Sequence, residues 1–153
     1  MKILLVLLLL LPFQAISAEE KSPIKNRIIE EPFLQVTYFA YASHKLFLDE
    51  DKYNLNNKLN MFSVAYRNQT HGAELTSFTN SYYVKSYALS YAHYWQPVKN
   101  IEASVNVGYV SGYSETSALF AASVAYTKYD YFIPKVTWFG EALVFSLSFN
   151  YRF

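Results

Sequence analysis

The chain contains no cysteine, so neither disulfides nor thiolate metal ligands hold it, and it must fold by burial and pairing alone. It also lacks a CxxC pair, a glycine-rich phosphate loop and any cluster with metal-ligand spacing, and no cofactor is expected. Beyond the N-terminal segment no stretch approaches the ~18 consecutive apolar residues of a spanning helix, which excludes a helical membrane protein. Charge is scarce: 16% of the 153 residues are charged, and the formal net charge is +1. A dedicated nucleic-acid binder needs a basic stripe to displace counterions from phosphates, and this balance argues against one.

What the chain has in excess is aromatic surface. Its 15 Tyr, 12 Phe and 2 Trp make up 19% of the residues, against a mean hydropathy of only +0.03. A disordered chain is far less aromatic and a helical membrane protein more hydrophobic. Met1 and Lys2, the apolar run Ile3 to Leu11 and the small-residue segment Ala15 to Ala18 have the three-part form of a secretory signal peptide. Cleavage is expected after Ala18, and losing Lys2 leaves the mature chain near neutrality. Residues 19–32, EEKSPIKNRIIEEP, read as a polar periplasmic leader.

From Phe33 onward, period-two alternation broken by polar segments predicts an all-β domain over 33–153. Eight short strands are expected at about 33–43, 58–67, 72–80, 83–95, 101–111, 117–127, 131–138 and 142–153. Long connections such as HKLFLDEDKYNLNN and SGYSETS are expected at one end, and tight ones such as NQTHG and QPVKN at the other. That asymmetry fits an eight-stranded antiparallel up-and-down transmembrane barrel with short periplasmic turns. In such a barrel every backbone group is paired, which lipid requires. The last stretch, LVFSLSFNYRF, shows the alternation most plainly, with Leu143, Phe145, Leu147, Phe149, Tyr151 and Phe153 on one face. Pro134 cannot donate to a ladder and marks the seventh strand as the weakest.

With the greasy faces turned outward, the inner faces divide along the axis. The periplasmic end collects Gln35, Arg67, Glu74, Glu102, Asn150 and Arg152, charges of both signs able to pair inside. The outer end collects Phe39, Tyr41, Met61, Phe78, Ala88, Gly108, Val110, Leu119 and Val144. An eight-stranded barrel is just wide enough to be filled by side chains or to hold one slender ligand. The apolar outer half suits an acyl chain; equally, Phe39, Met61 and Phe78 suit a packed core.

Three histidines are present. His71 lies in the NQTHG turn and reads as solvated, and His93 beside Trp95 reads as interfacial. His44 opens the first long outer loop, at the same end as Asn80 and Ser81. A histidine beside a serine hydroxyl acts as general base, and an amide can fix its tautomer, so His44, Asn80 and Ser81 are candidate catalytic residues for acyl transfer. Asn68–Gln69–Thr70 matches a glycosylation sequon and reads as a turn.

Phe78-Thr79-Asn80-Ser81-Tyr82, Trp95-Gln96-Pro97, Tyr131-Phe132-Ile133-Pro134 and Phe139-Gly140 resemble segments of the lipid A palmitoyltransferase barrels, over residues 33–153. The resemblance implies a bacterial outer-membrane barrel that holds a phospholipid acyl chain in its outer interior and transfers it to lipid A. It implies that His44 and Ser81 stand for the family histidine and serine. Asn80 replaces the family aspartate, and an amide can orient an imidazole but cannot stabilise its positive charge. Ala88, Ser90 and Ala92 correspond to the glycine-rich region that shapes the pocket base, and Pro134 to prolines that loosen strand pairing. The expected substrate-binding residues are thus Phe39, Met61, Phe78, Ala88, Ser90 and Gly108. Expected partners are phospholipid and lipid A, with the protein monomeric. Two functions compete: a lipid acyltransferase or acyl hydrolase, and a non-enzymatic barrel that binds lipid or stabilises the envelope.

Overall fold

A computed structural model describes residues 31–44, 53–113 and 117–153; the expected signal peptide and nearly all of the leader lie outside them. Eight strands form one closed antiparallel barrel in sequence order: β1 Phe33–Ser43, β2 Phe62–Arg67, β3 His71–Thr79, β4 Lys85–Val98, β5 Ile101–Val110, β6 Ser117–Tyr126, β7 Ile133–Phe139 and β8 Ala142–Tyr151. The upper end, as used below, is the one carrying the β1–β2 and β3–β4 connections. The expected asymmetry of the loops holds only in part. The β7–β8 turn is just Gly140–Glu141, whereas the β6–β7 connection at the lower end runs from Thr127 to Phe132.

The second strand starts later than the alternation predicts. Asn60 takes a left-handed φ of 43°, which breaks an extended run, and Lys58 makes only an isolated bridge to Tyr41. β4 runs further than predicted, because a register shift between Trp95 and Val98 accommodates Pro97, whose missing N–H is tolerated at an irregularity. In β5, Gly108 lets the chains approach closely. A Cβ there would lie 2.1 Å from the Leu89 carbonyl oxygen and 2.7 Å from Ser90 Cα.

The largest correction concerns β1. Between Thr37↔Ser148 and Ala40↔Ser146, β1 advances three residues while β8 advances two, which is a β-bulge. The extra residue reverses the inside–outside parity for the rest of the strand. Phe39 and Tyr41, expected in the lumen, are therefore turned out, Phe39 to 58% exposure. Ala40 and Ala42 take the inner positions and are buried.

The interior is graded as the alternation predicts. At the lower end Arg67 forms a two-pronged ion pair with Glu102, at 2.9 and 2.7 Å, and its guanidinium lies 3.4 Å from the Tyr94 ring centroid. Gln35 donates to Asn150 at 3.0 Å. In the middle, Ser63 donates to Glu74 at 2.6 Å, and the Thr37–Ser148 and Ser123–Thr137 hydroxyls pair at 2.7 and 2.9 Å. Arg152 departs from expectation. It lies beyond the end of β8, is half exposed, and meets Asp130 at the rim at 3.3 Å. The Asp130 carboxyl, outside the strands, is held below the usual carboxylate range by the Asn150 amide and by Arg152, against a smaller opposing effect of burial. Above the polar layers, Ala40, Ala42, Leu59, Phe78, Ala88, Val110, Ala142 and Val144 form the apolar core, with Met61, Tyr113, Leu119 and Phe139 packed on it.

The outer surface carries the remaining aromatics. Tyr38, Phe62, Tyr66, Leu75, Tyr87, Leu89, Tyr91, Val107, Tyr109, Phe120, Val124, Phe145 and Tyr151 are all exposed, in a band contributed by every strand from β1 to β6 and by β8. β7 adds Val136 and Trp138.

Candidate active site

His44 directly follows β1, and because parity has been reversed at the bulge it continues the inward series Ala40, Ala42. It is 3% exposed. Its Nε2 lies 2.8 Å from Ser81 Oγ, so the structure brings together two of the three residues expected to form the site.

The third, Asn80, is adjacent but engaged elsewhere. It is fully buried. Its Oδ1 accepts from the backbone N–H groups of Tyr82 and Val84 at 2.9 and 3.0 Å, and its Nδ2 donates to the Gly112 carbonyl at 2.7 Å. These bonds fold the β3–β4 turn that presents Ser81 and tie it to the β5–β6 loop. Asn80 is a positioning residue for the turn, and its amide is directed at backbone rather than at the imidazole. The Gly112 end is equally constrained, since Gly112 has a φ of 87° and a Cβ there would sit 2.1 Å from Ser86 Oγ.

The amide that does face the imidazole is Asn57, whose Oδ1 lies 3.4 Å from His44 Nδ1. With that oxygen accepting, the proton resides on Nδ1, and Nε2 presents its lone pair to the Ser81 hydroxyl, the tautomer a general base requires. Asn57 is held by its own carbonyl, which accepts from Ala42 N at 2.8 Å. Next to it Asn56 clamps the Ser81 turn: its N–H donates to the Ser81 carbonyl at 2.8 Å and its Nδ2 to the Asn80 carbonyl at 3.1 Å. The segment from Leu55 to Leu59 thus continues β2 irregularly up the wall between β1 and β3, anchored by two buried leucines. Reading for function by histidine and serine alone misses it. The signal present in the sequence is Asn56-Asn57 between Leu55 and Leu59, amides bracketed by apolar anchors in an otherwise charged loop.

His44 and Ser81 line a cleft of about 530 Å³, together with Leu55, Tyr82, Val110, Tyr113, Phe120, Trp138, Phe139 and Ala142. Phe120 and Trp138 belong to the outward faces of β6 and β7. The β6–β7 ladder ends at Ala121↔Phe139, whereas β5–β6 continues up to Val110↔Ser117. Ala118 to Phe120 therefore stand beyond the last β6–β7 pair, and the cleft opens sideways through the wall there. Tyr113 stands over it with its ring edge-on to Tyr82 at 6.2 Å. Burial, with a smaller contribution from Tyr82, pushes its phenol above the ordinary value and keeps it neutral.

Below the cleft, and sharing Phe139 with it, is a smaller lumenal cavity of about 100 Å³. Met61, Phe78, Ala88 and Ser90 line it, with Glu74, Asn106 and Lys135 at its polar end. Phe39 is outside the barrel. Gly108 acts through the close approach of β5 to β4 rather than as a contact surface. Scans against family models and curated proteins return no match to this chain.

Proposed function

We propose that this barrel spans a bacterial outer membrane and that its upper rim carries a serine acyl-transfer site acting on the ester of an outer-leaflet phospholipid. The observation that carries the reading is the His44–Ser81 contact inside a cleft that opens sideways at the top of an apolar outer wall. Monomers in water rarely expose contiguous apolar patches above a few hundred Å², so a circumferential band of exposed Tyr, Phe and Leu calls for lipid. The sideways opening admits an acyl ester from the membrane without lifting it into water.

In the proposed reaction, Ser81 Oγ attacks the ester carbonyl carbon while His44 Nε2 takes the hydroxyl proton. The imidazolium then returns that proton to the departing glycerol oxygen, leaving an acyl-serine. A second hydroxyl, from water or from lipid A, is deprotonated by His44 and attacks the acyl carbon; the bond to Ser81 Oγ breaks, and the imidazolium returns its proton to that oxygen. Asn57 holds the tautomer through both halves. The cleft accommodates the ester and upper chain. The cavity beneath it, only about 100 Å³, favours a second reading, a lipid-binding barrel without turnover.

Incubating the purified chain in detergent with phospholipid labelled in its acyl chain, with and without lipid A, separates the outcomes. Labelled fatty acid or labelled lipid A, lost in His44→Ala and Ser81→Ala and reduced in Asn57→Leu, is expected for the enzyme. Retention of lipid with no product from the unmutated chain would establish the second reading. Migration that shifts only on heating in SDS is expected of the barrel; a water-soluble, unshifted species would defeat the membrane assignment.

A further inference from the structure

Two histidines that the sequence separates are placed opposite each other at the lower end of the barrel. The β3–β4 register pairs His71 directly with His93, and their Nδ1 atoms are 3.3 Å apart. Both rings lie on the outer face, far along the strands from His44 and Ser81. The Tyr91 hydroxyl, two residues before His93 on the same face, also hydrogen-bonds His71 Nδ1. His71 Nδ1 thus meets two further donor atoms, the His93 imidazole nitrogen and the Tyr91 phenol oxygen.

A spacing of 3.3 Å suits two nitrogens bound to one metal ion. With metal–nitrogen bonds of about 2.0–2.1 Å and a tetrahedral angle, the two nitrogens stand about 3.3 Å apart. Without a metal, only one proton can occupy the Nδ1–Nδ1 contact; an ion placed between the rings uses both lone pairs. The rings are also braced. Trp95 stacks on His93 with centroids 5.9 Å apart, and Tyr91 on His71 at 5.8 Å. Asn68 fixes the His71 backbone by accepting its N–H at 2.7 Å. Among the described residues, no group of three or more His, Cys, Asp or Glu side chains gathers in this way; the third donor here is a phenol.

We propose that His71, His93 and Tyr91 form a binding site for a divalent transition-metal ion. The spacing fits tetrahedral Zn²⁺ as it stands; an open N,N,O set still ranks Cu²⁺ first by intrinsic affinity, its right-angled coordination drawing the nitrogens to about 2.9 Å, and leaves coordination positions for water. The site is independent of the acyl-transfer reading. It rests on the register of one hairpin.

The stacked Trp95 supplies a direct readout, because Cu²⁺ on His93 quenches it. The full chain, untagged and purified in detergent, carries a Trp138→Phe substitution so that Trp95 is the only tryptophan. CuCl₂ titration is expected to give saturable 1:1 quenching that EDTA reverses, with two nitrogen couplings in the electron paramagnetic resonance spectrum. His71→Ala and His93→Ala are each expected to abolish the saturable phase, and Tyr91→Phe to weaken it. Both histidines are at the surface, and heat-shifted migration of each variant checks that the barrel still forms. His44 is intact in all of them, so loss of the signal excludes it as the ligand. Non-saturable quenching, or saturable quenching that survives either histidine substitution, would overturn the proposal.

Discussion

Replacing Asn80 by aspartate tests whether this position serves the imidazole or the turn. Asn80 makes three side-chain hydrogen bonds, two accepted from Tyr82 N and Val84 N and one donated to Gly112 O. Asn80→Ala removes all three, and at about 1 kcal/mol net for each bond the folded state loses about 3 kcal/mol. Asn80→Asp keeps an acceptor for the two N–H groups. Its second oxygen, however, takes the place of Nδ2, which lies 2.7 Å from the Gly112 carbonyl oxygen. One bond is lost and two buried oxygens face each other, for a cost of about 3 kcal/mol at neutral pH. The two variants separate on acidification. The two N–H bonds favour the anion, but complete burial with no cation hydrogen-bonded to it and the facing Gly112 carbonyl disfavour it more, so the introduced carboxyl has a folded-state pKa above its unfolded value of about 3.9. Between those two values the folded state binds more protons than the unfolded one, and stability rises as pH falls. The protonated carboxyl can then donate to Gly112 O as the amide does. Urea unfolding followed by tryptophan fluorescence across pH should show both variants weakened at pH 7, and Asn80→Asp alone recovering relative to the unmutated chain at lower pH. Acyl turnover should fall in both. An Asn80→Asp chain with an unmutated urea midpoint at pH 7, or with raised turnover, would refute the assignment of Asn80 to the turn.

Phe39 lines an outer groove with Pro134, Phe145 and Leu147, so Phe39→Arg should impair folding into bilayers, by about 2–4 kcal/mol if the site lies near the midplane; unchanged insertion would contradict an outward, lipid-facing side chain. In the lower lumen, Arg67→Leu strands the Glu102 carboxylate and should cost about 3–5 kcal/mol, whereas the Arg67→Leu/Glu102→Leu double variant should recover most of that in urea unfolding. Simple additivity of the two single losses would mean that the pair is not coupled.

The parts of the fold legible in the sequence are those that repeat with period two. LVFSLSFNYRF displays its apolar face over the whole of β8, and the inward sets of β2 to β6 follow from the same alternation. A polar lower lumen and an apolar upper one are consequences of which residues share a face. Boundaries were less legible wherever one residue's backbone broke the run, as at Asn60 before β2 or Pro97 within β4. In the candidate site, His44 and Ser81 are chemically conspicuous residue types near strand ends. Asn57 is not, because its role depends on an irregular extension of β2 between β1 and β3, held by backbone bonds that leave no periodic trace. The same limit hides the His71–His93 pair, which register alone creates.

The β1 bulge shows how much can rest on one unpatterned residue. Had β1 run to its end with the parity of Phe33, Gln35 and Thr37, the inner positions would have gone to Phe39, Tyr41 and Ser43. Two aromatic rings would then have entered the upper lumen at the level of Phe78 and Val144, with no room left for the cavity beneath the cleft. His44, one position on, would have pointed outward, away from Ser81. The extra residue between Thr37 and Ala40 exchanges those rings for Ala40 and Ala42 and turns His44 inward. The strand that leads into His44 is therefore shaped two turns of the pleat earlier. Deleting one residue of the bulge should restore regular alternation with Ala40, Ala42 and His44 still facing inward and acyl turnover retained, whereas inserting one residue before Ala40 should turn Tyr41 into the lumen and His44 away from Ser81, with turnover lost.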